Sequence, residues 1–139
     1  MKKKKIRVAL VVAQFHKEIA AVMTRAAVDE LEKRGGILAD IIPVLGCFEM
    51  PLAVKRLMAK KSVDALVVLG PIEKGETLHG EVMGHVVLNA LMTLQLATMK
   101  PIGFGIIGPG ATIKQAQARM KGAAQGAVRA ALSQTHLMV

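Results

Sequence analysis

Strands that alternate with helices along one short chain predict an α/β fold, a three-layer α/β/α sandwich on a four-stranded parallel sheet. Two observations carry that expectation. Hydrophobic periodicity switches repeatedly between short β-rich runs and longer helical stretches. At 139 residues the chain is long enough to bury one real core, and no linker, repeat or low-complexity segment divides it. Residues 1–139 therefore read as a single domain, with a basic tail at 1–5.

The elements follow in order. Residues 6–12 form a β-rich run, the first strand. A helix spans about residues 17–34 and stops at Gly35-Gly36, the glycine-rich end a helix favours. Residues 37–44 make the second strand, closed by Pro43 and the Gly46 loop. Pro51 suits the first turn of a helix running to about Lys61. Residues 63–70 are apolar enough for a strand buried on both faces. A long helix at 79–99, a fourth strand at 102–107 and a last helix at 112–134 complete the pattern. Each strand–helix–strand unit implies a right-handed crossover, so helices should cover both faces of the sheet. The result is a flavodoxin-like sandwich.

The third helix carries its own message. From Val82 to Met99 no residue is charged, and apolar side chains occupy nearly every face. That length approaches a membrane span. Gly84, His85, Asn89, Thr93 and Gln95 interrupt it, however, and it lies between two strands of one sheet. A helix apolar all round must be buried, and a small monomer has little room to do so. Part of it should pack on neighbouring subunits, so the chain is expected to be a homo-oligomer without a membrane segment.

Composition removes several classes. The chain is 53% hydrophobic but 2% aromatic, so aliphatic residues, alanine and methionine fill the core. One cysteine excludes an internal disulfide and suits a reducing cytoplasm. The lysine-rich start resembles a signal-peptide head, yet Arg7 interrupts the apolar segment and the first strand explains it better. The net charge of +9 raises nucleic-acid binding. Beyond the amino terminus the basic residues are scattered in sequence and lack interleaved aromatics, so no nucleic-acid partner is expected. Attraction of phosphorylated substrates remains consistent with the charge.

Chemistry concentrates in a few places. Phe15 and Phe48 fall just past the carboxyl ends of the first two strands, where open α/β sheets bind ligands, while Phe104 lies inside the fourth. They are either stacking surfaces for a flat heterocycle or hydrophobic plugs. His79 opens a helix after the polar loop Gly75-Glu76-Thr77-Leu78, where backbone N–H groups can hold an anion beside an imidazole. Alone, such a histidine is more often structural or exposed than catalytic. His85 should make a buried or interface hydrogen bond, and His16 and His136 read as exposed. His79 and His85 lack a cysteine or carboxylate at ligand spacing, so no metal site is expected. Two glycine-rich loops, Gly70–Gly75 and Gly108–Gly110, follow strands, but neither has the pattern of a phosphate-binding P-loop or a dinucleotide fingerprint. Cys47 has no histidine nearby in sequence, which argues against a thiol nucleophile.

Five segments together resemble one family. They are Ala13-Gln14-Phe15, Gly46-Cys47-Phe48-Glu49-Met50-Pro51-Leu52, Gly75-Glu76-Thr77-Leu78-His79, Gly103-Phe104-Gly105 and Gln115-Ala116-Gln117-Ala118-Arg119. In this order and spacing the chain resembles 6,7-dimethyl-8-ribityllumazine synthase from Val8 to about Leu132. The run Gly105-Ile106-Ile107-Gly108-Pro109-Gly110 resembles the archaeal branch.

The resemblance implies a transferase of riboflavin biosynthesis without cofactor or metal. It would condense 5-amino-6-(D-ribitylamino)uracil with 3,4-dihydroxy-2-butanone 4-phosphate, losing phosphate and two waters. By position, Phe15 would stack on the pyrimidine, and Phe48 and Glu49, with Cys47 beside them, would contact the ribityl chain. The backbone of Ile72, Glu73 and Lys74 would meet the pyrimidine edge. Gly75, Glu76, Thr77 and Arg119 would hold the phosphate, and His79 would shuttle protons. Phe104 and Arg119 would reach the site from an adjacent subunit, which implies a pentamer, with a sixty-subunit cage as a further arrangement. After Arg119 the bacterial pattern carries lysines; here only Lys121 offers a nearby cation. Competing readings are an archaeal-type riboflavin synthase and a shell protein with a vestigial site. A signalling receiver would need acidic residues where Ala13 and Pro71 stand.

Overall fold

The computed structural model describes residues 4–136, and its elements run in the expected order. They are β1 (Arg7–Ala13), α1 (Lys17–Lys33), β2 (Ile37–Val44), a 3-10 turn (Cys47–Glu49), α2 (Met50–Met58), β3 (Ala65–Glu73), α3 (His79–Thr98), β4 (Ile102–Ala111) and α4 (Ile113–His136). Every strand pairing is parallel, in the order β2-β1-β3-β4. The α/β/α sandwich and its four-stranded parallel sheet are as the periodicity predicts. Of the basic tail, residues 1–3 lie outside the described residues, as does the side chain of His136.

Strand order explains strand composition. β1 and β3 are central, and Val8 through Val12 and Ala65 through Leu69 are fully buried between two helical layers. On one face α1 and α4 pack through Ile19, Met23, Ala27, Leu31, Ala124, Val128 and Ala131. On the other, α2 and α3 contribute Met50, Val54, Val87 and Leu91. Each large aliphatic side chain buried this way is worth about 1.5–3 kcal/mol. At the start of α4, Thr112 and Gln115 exchange bonds. The Gln115 N–H donates to Thr112 Oγ1 at 3.1 Å, and the Thr112 N–H donates to Gln115 Oε1 at 2.9 Å. This reciprocal capping fixes where the last helix begins.

Several expectations need correction. The two glycine-rich segments are not loops for their whole length. β3 continues through Gly70 and Pro71 to Glu73, and β4 through Gly108 and Pro109 to Ala111. Pro71 pairs with Ile107 and Glu73 with Ala111, with a register shift between them. A proline is tolerated there because the irregularity relieves the ladder of one donor. At the other margin the cover on both faces fails. β2 is an edge strand with Ile37, Leu38 and Ile41 exposed. Helix α2 ends at Met58 rather than near Lys61.

Helix α3 buries only Gly84, Val87 and Leu91 within its own chain. Leu78, Val82, Val86, Met92, Leu96 and Met99 stay exposed along its length. His85 is exposed as well, 3.9 Å from Glu81 one turn earlier, and makes no buried hydrogen bond among the described residues. Among the described residues, no helix is long and apolar enough to cross a membrane.

Candidate active site

The carboxyl ends of β1 and β3, the 3-10 turn and the start of α3 enclose a cavity of about 360 Å³. Phe15, Cys47, Phe48, Glu49, Ile72, Glu73, Gly75, Thr77 and His79 all line it. Nine candidates separated by up to 64 positions therefore meet at one sheet edge. Lys74 and Glu76 line the adjoining cavity of about 590 Å³ together with Gly75, Thr77, Glu81 and His85.

Local structure sets each side chain. The loop after β1 is pinned where the Gln14 N–H donates to the Val44 carbonyl at 2.8 Å, which leaves Phe15 projecting at the mouth, 79% exposed. Cys47 opens the 3-10 turn and points inward, 3% exposed, with its thiol 3.9 Å from the Pro71 carbonyl. Burial, and secondarily the nearby Glu49 carboxylate, push this thiol up to about 11. It is a neutral wall group rather than a nucleophile. The Glu49 carboxylate is fixed from its own turn, since the Gly46 N–H donates to Oε2 at 3.0 Å. A carboxylate held in this way is ready to accept hydrogen bonds from hydroxyl groups.

His79 is the first residue of α3 and its N–H donates to Thr77 Oγ1 at 3.3 Å. Its ring meets Phe48 edge-on, with centroids 6.0 Å apart. Helix α3 can approach the sheet this closely because its second residue is Gly80. A β-carbon there would stand 2.9 Å from the Glu73 carbonyl oxygen. The 20-residue helix aims its amino terminus at the Gly75–Thr77 loop, a place suited to an anion. Glu76 and Glu81 oppose that field and Lys74 supports it.

Two candidates lie elsewhere. Phe104 is half-buried in β4 and lines a groove between α3 and α4 with Met92, Leu96 and Met99. Arg119 is exposed on α4 and lines none of the cavities at this edge. One residue was missed by the sequence. His16, expected to be exposed, is half-buried in the wall beside Phe15, with Nε2 3.6 Å from Glu73 Oε2. Its only signal was its place next to an aromatic in a ligand-edge loop. Among the described residues no three histidines, cysteines or carboxylates gather as metal ligands would.

The arrangement offers aromatic surfaces, a fixed carboxylate, an anion-ready helix terminus and an imidazole around a space for a flat, hydroxylated molecule. Comparison with known proteins points the same way. Residues 5–139 match the family model described as 6,7-dimethyl-8-ribityllumazine synthase. A protein of that name from Saccharolobus islandicus strain L.S.2.15 is 39% identical over 132 residues, 95% of this chain and 86% of the relative. One from Metallosphaera sedula is 36% identical over 138 residues, covering 99% and 91%. One from Pyrobaculum arsenaticum is 35% identical over 127 residues, covering 91% and 85%.

Proposed function

Since the chain belongs to the 6,7-dimethyl-8-ribityllumazine synthase family, we propose how its cavity carries out that family's condensation. The reaction joins 5-amino-6-(D-ribitylamino)uracil to 3,4-dihydroxy-2-butanone 4-phosphate, releasing phosphate and two waters. It serves riboflavin biosynthesis. The observation that carries the assignment of roles is convergence: Phe15, Phe48, Glu49, Thr77 and His79 come from three separate segments to one cavity.

The uracil ring stacks on Phe15 and the ribityl hydroxyls donate to Glu49. The phosphate of the second substrate sits against the N–H groups of Gly75–Thr77 at the start of α3. Its ketone then lies near the amine of the first substrate, beside the His79 imidazole. Attack of that amine on the ketone and loss of water give an imine. Removal of a proton next to it expels phosphate, and ring closure by the ribityl-bearing nitrogen releases the second water. His79 takes and returns protons at these steps. Both substrates are reactive, so most of the acceleration comes from holding them in register.

The exposed apolar stripe on α3 and the distance of Phe104 and Arg119 from the cavity support an oligomeric enzyme. In it, those two side chains complete the site of a neighbour, Arg119 as a two-pronged phosphate ligand. A pentamer is the arrangement proposed, located in the cytoplasm.

The test is absorbance in the lumazine band after both substrates are mixed with the protein, against a control without enzyme. Acceleration that is lost in Arg119→Ala establishes the enzyme and its phosphate ligand. No acceleration from a folded oligomer overturns the assignment. Supplying lumazine would then distinguish a riboflavin synthase from a shell protein.

A further inference from the structure

We propose that Glu73 and His16 form a clamp that holds the Phe15 ring over the cavity mouth, which makes both of them positioning residues for the flat-ring substrate. Phe15 is the most precarious part of the site. It sits in a three-residue connection between β1 and α1, and 79% of it is exposed. A ring so open samples several rotamers unless something braces it, and a substrate that stacks on it must then freeze them.

The brace is the next residue. The His16 ring meets Phe15 edge-on, with centroids 5.0 Å apart and planes at 84°. This imidazole is not loose itself. Its side chain is 24% exposed, with Nε2 3.6 Å from Glu73 Oε2, a small adjustment away from a charge-assisted hydrogen bond. The Glu73 backbone is in turn fixed by the sheet. It is the last residue of β3 and pairs with Ala111, and the following Lys74 N–H donates to the Ala111 carbonyl at 2.7 Å. A fixed strand end thus places the Glu73 side chain, 45% exposed, within 3.6 Å of the imidazole, and the imidazole packs edge-on against the phenyl ring.

Neither side chain belongs to the segments that carry the family resemblance, and Glu73 enters the proposed site only through its backbone. Losing the pair should weaken capture of the ring substrate and leave the later chemistry intact, because His79 stands on another element, α3.

The chain has three phenylalanines, so labelling with 4-fluorophenylalanine gives three fluorine resonances, and Phe15→Leu identifies one of them. His16→Ala and Glu73→Ala should each move the Phe15 resonance and leave the other two in place. This arm reads the clamp whatever the protein catalyses. The kinetic arm rests on the lumazine synthase reading. There both variants should raise KM for the ribitylaminouracil about three- to tenfold, the equivalent of one edge-to-face contact, with kcat within about twofold. The double variant should be no worse than either single one. Glu73→Gln, which keeps an acceptor oxygen, should restore part of the loss.

An unmoved Phe15 resonance, or additive losses in the double variant, would overturn the clamp. A fall in kcat at unchanged KM would overturn it too, and would make His16 a proton carrier. Wild-type protein without activity would instead remove the proposed function, with the fluorine result still deciding the clamp.

Discussion

The His79 imidazole leans edge-on against the Phe48 ring, with centroids 6.0 Å apart and planes at 63°. One side chain comes from the first turn of α3 and the other from the turn before α2, so the contact ties the proposed proton carrier to the opposite wall. Phe48→Ala should lower the rate of lumazine formation about three- to tenfold, the scale of an edge-to-face pair. His79→Ala should cost less than the about 100-fold at the low end of acid–base catalysis, because positioning dominates. In steady-state assays the two losses should overlap rather than multiply.

Gly80 sets the approach of α3 to the sheet. A methyl group there would meet the Glu73 carbonyl oxygen at 2.9 Å, a backbone atom unable to move aside. Gly80→Ala should push the helix start outward, carrying His79 and the Gly75–Thr77 loop with it. The expected outcome is a destabilisation of about 1–3 kcal/mol by overpacking, read in urea denaturation, with loss of activity greater than in His79→Ala.

The open stripe of α3 should be an interface. Val86 is 54% exposed and Leu96 is 69% exposed in the single chain. Val86→Glu with Leu96→Glu would bury two unpaired carboxylates in any apolar contact. Sedimentation should show the assembly shifted to smaller species, and activity should fall with it under the proposal that each site draws on a neighbour. An unchanged sedimentation profile would place the interface elsewhere.

Cys47 should resist alkylation. Its thiol is buried and pushed up to about 11, so almost no thiolate exists at pH 8 in the folded state. Iodoacetamide at pH 8 should label the denatured chain readily and the native chain hardly at all, as mass spectrometry would show. Rapid native labelling would mean that the cavity wall opens.

Asp64 couples stability to acid. The Arg7 backbone N–H donates to Oδ2 at 2.8 Å, and its guanidinium grips the carboxylate through Nε at 3.0 Å and Nη2 at 3.0 Å. The hydrogen bonds from the Arg7 side chain, above all, hold this carboxyl down at about 2. The unfolded value is about 3.9, so the contribution is complete above about pH 5 and disappears as pH falls towards 2. Asp64→Asn should lower Tm at pH 7. Between pH 4 and pH 2 its Tm should fall less steeply than that of the wild type, as calorimetry would show.

Much of this protein is legible locally. Apolar residues spaced by two or by three to four declare strand or helix within a window of a dozen residues. The order of elements, the single domain and the parallel sheet follow from that. So do the positions of Phe15, Phe48 and His79 at strand ends, since loops after parallel strands carry binding groups. The charge-free run from Val82 to Met99 announced an apolar surface before any packing was known.

Distance along the chain hid the rest. Pro71 and the Gly108-Pro109-Gly110 run look like strand breakers from their neighbours alone, yet β3 and β4 extend through both because Pro71 pairs with Ile107 and pairing resumes at Glu73 and Ala111 beyond the irregularity. His16 and Glu73 lie 57 positions apart and meet only because β1 and β3 are adjacent in the sheet. Basic residues that look scattered behave likewise. Lys4, Lys5, Lys33, Arg34 and Arg129 surround one cavity of about 580 Å³ beside Gly35-Gly36, the turn that leads into β2. Arg34 and Arg129 there share the buried carboxylate of Glu30. Periodicity is a property of neighbours, so the sequence by itself determined the elements. Which side chains face one another depends on strand order and register, which only the tertiary structure decided.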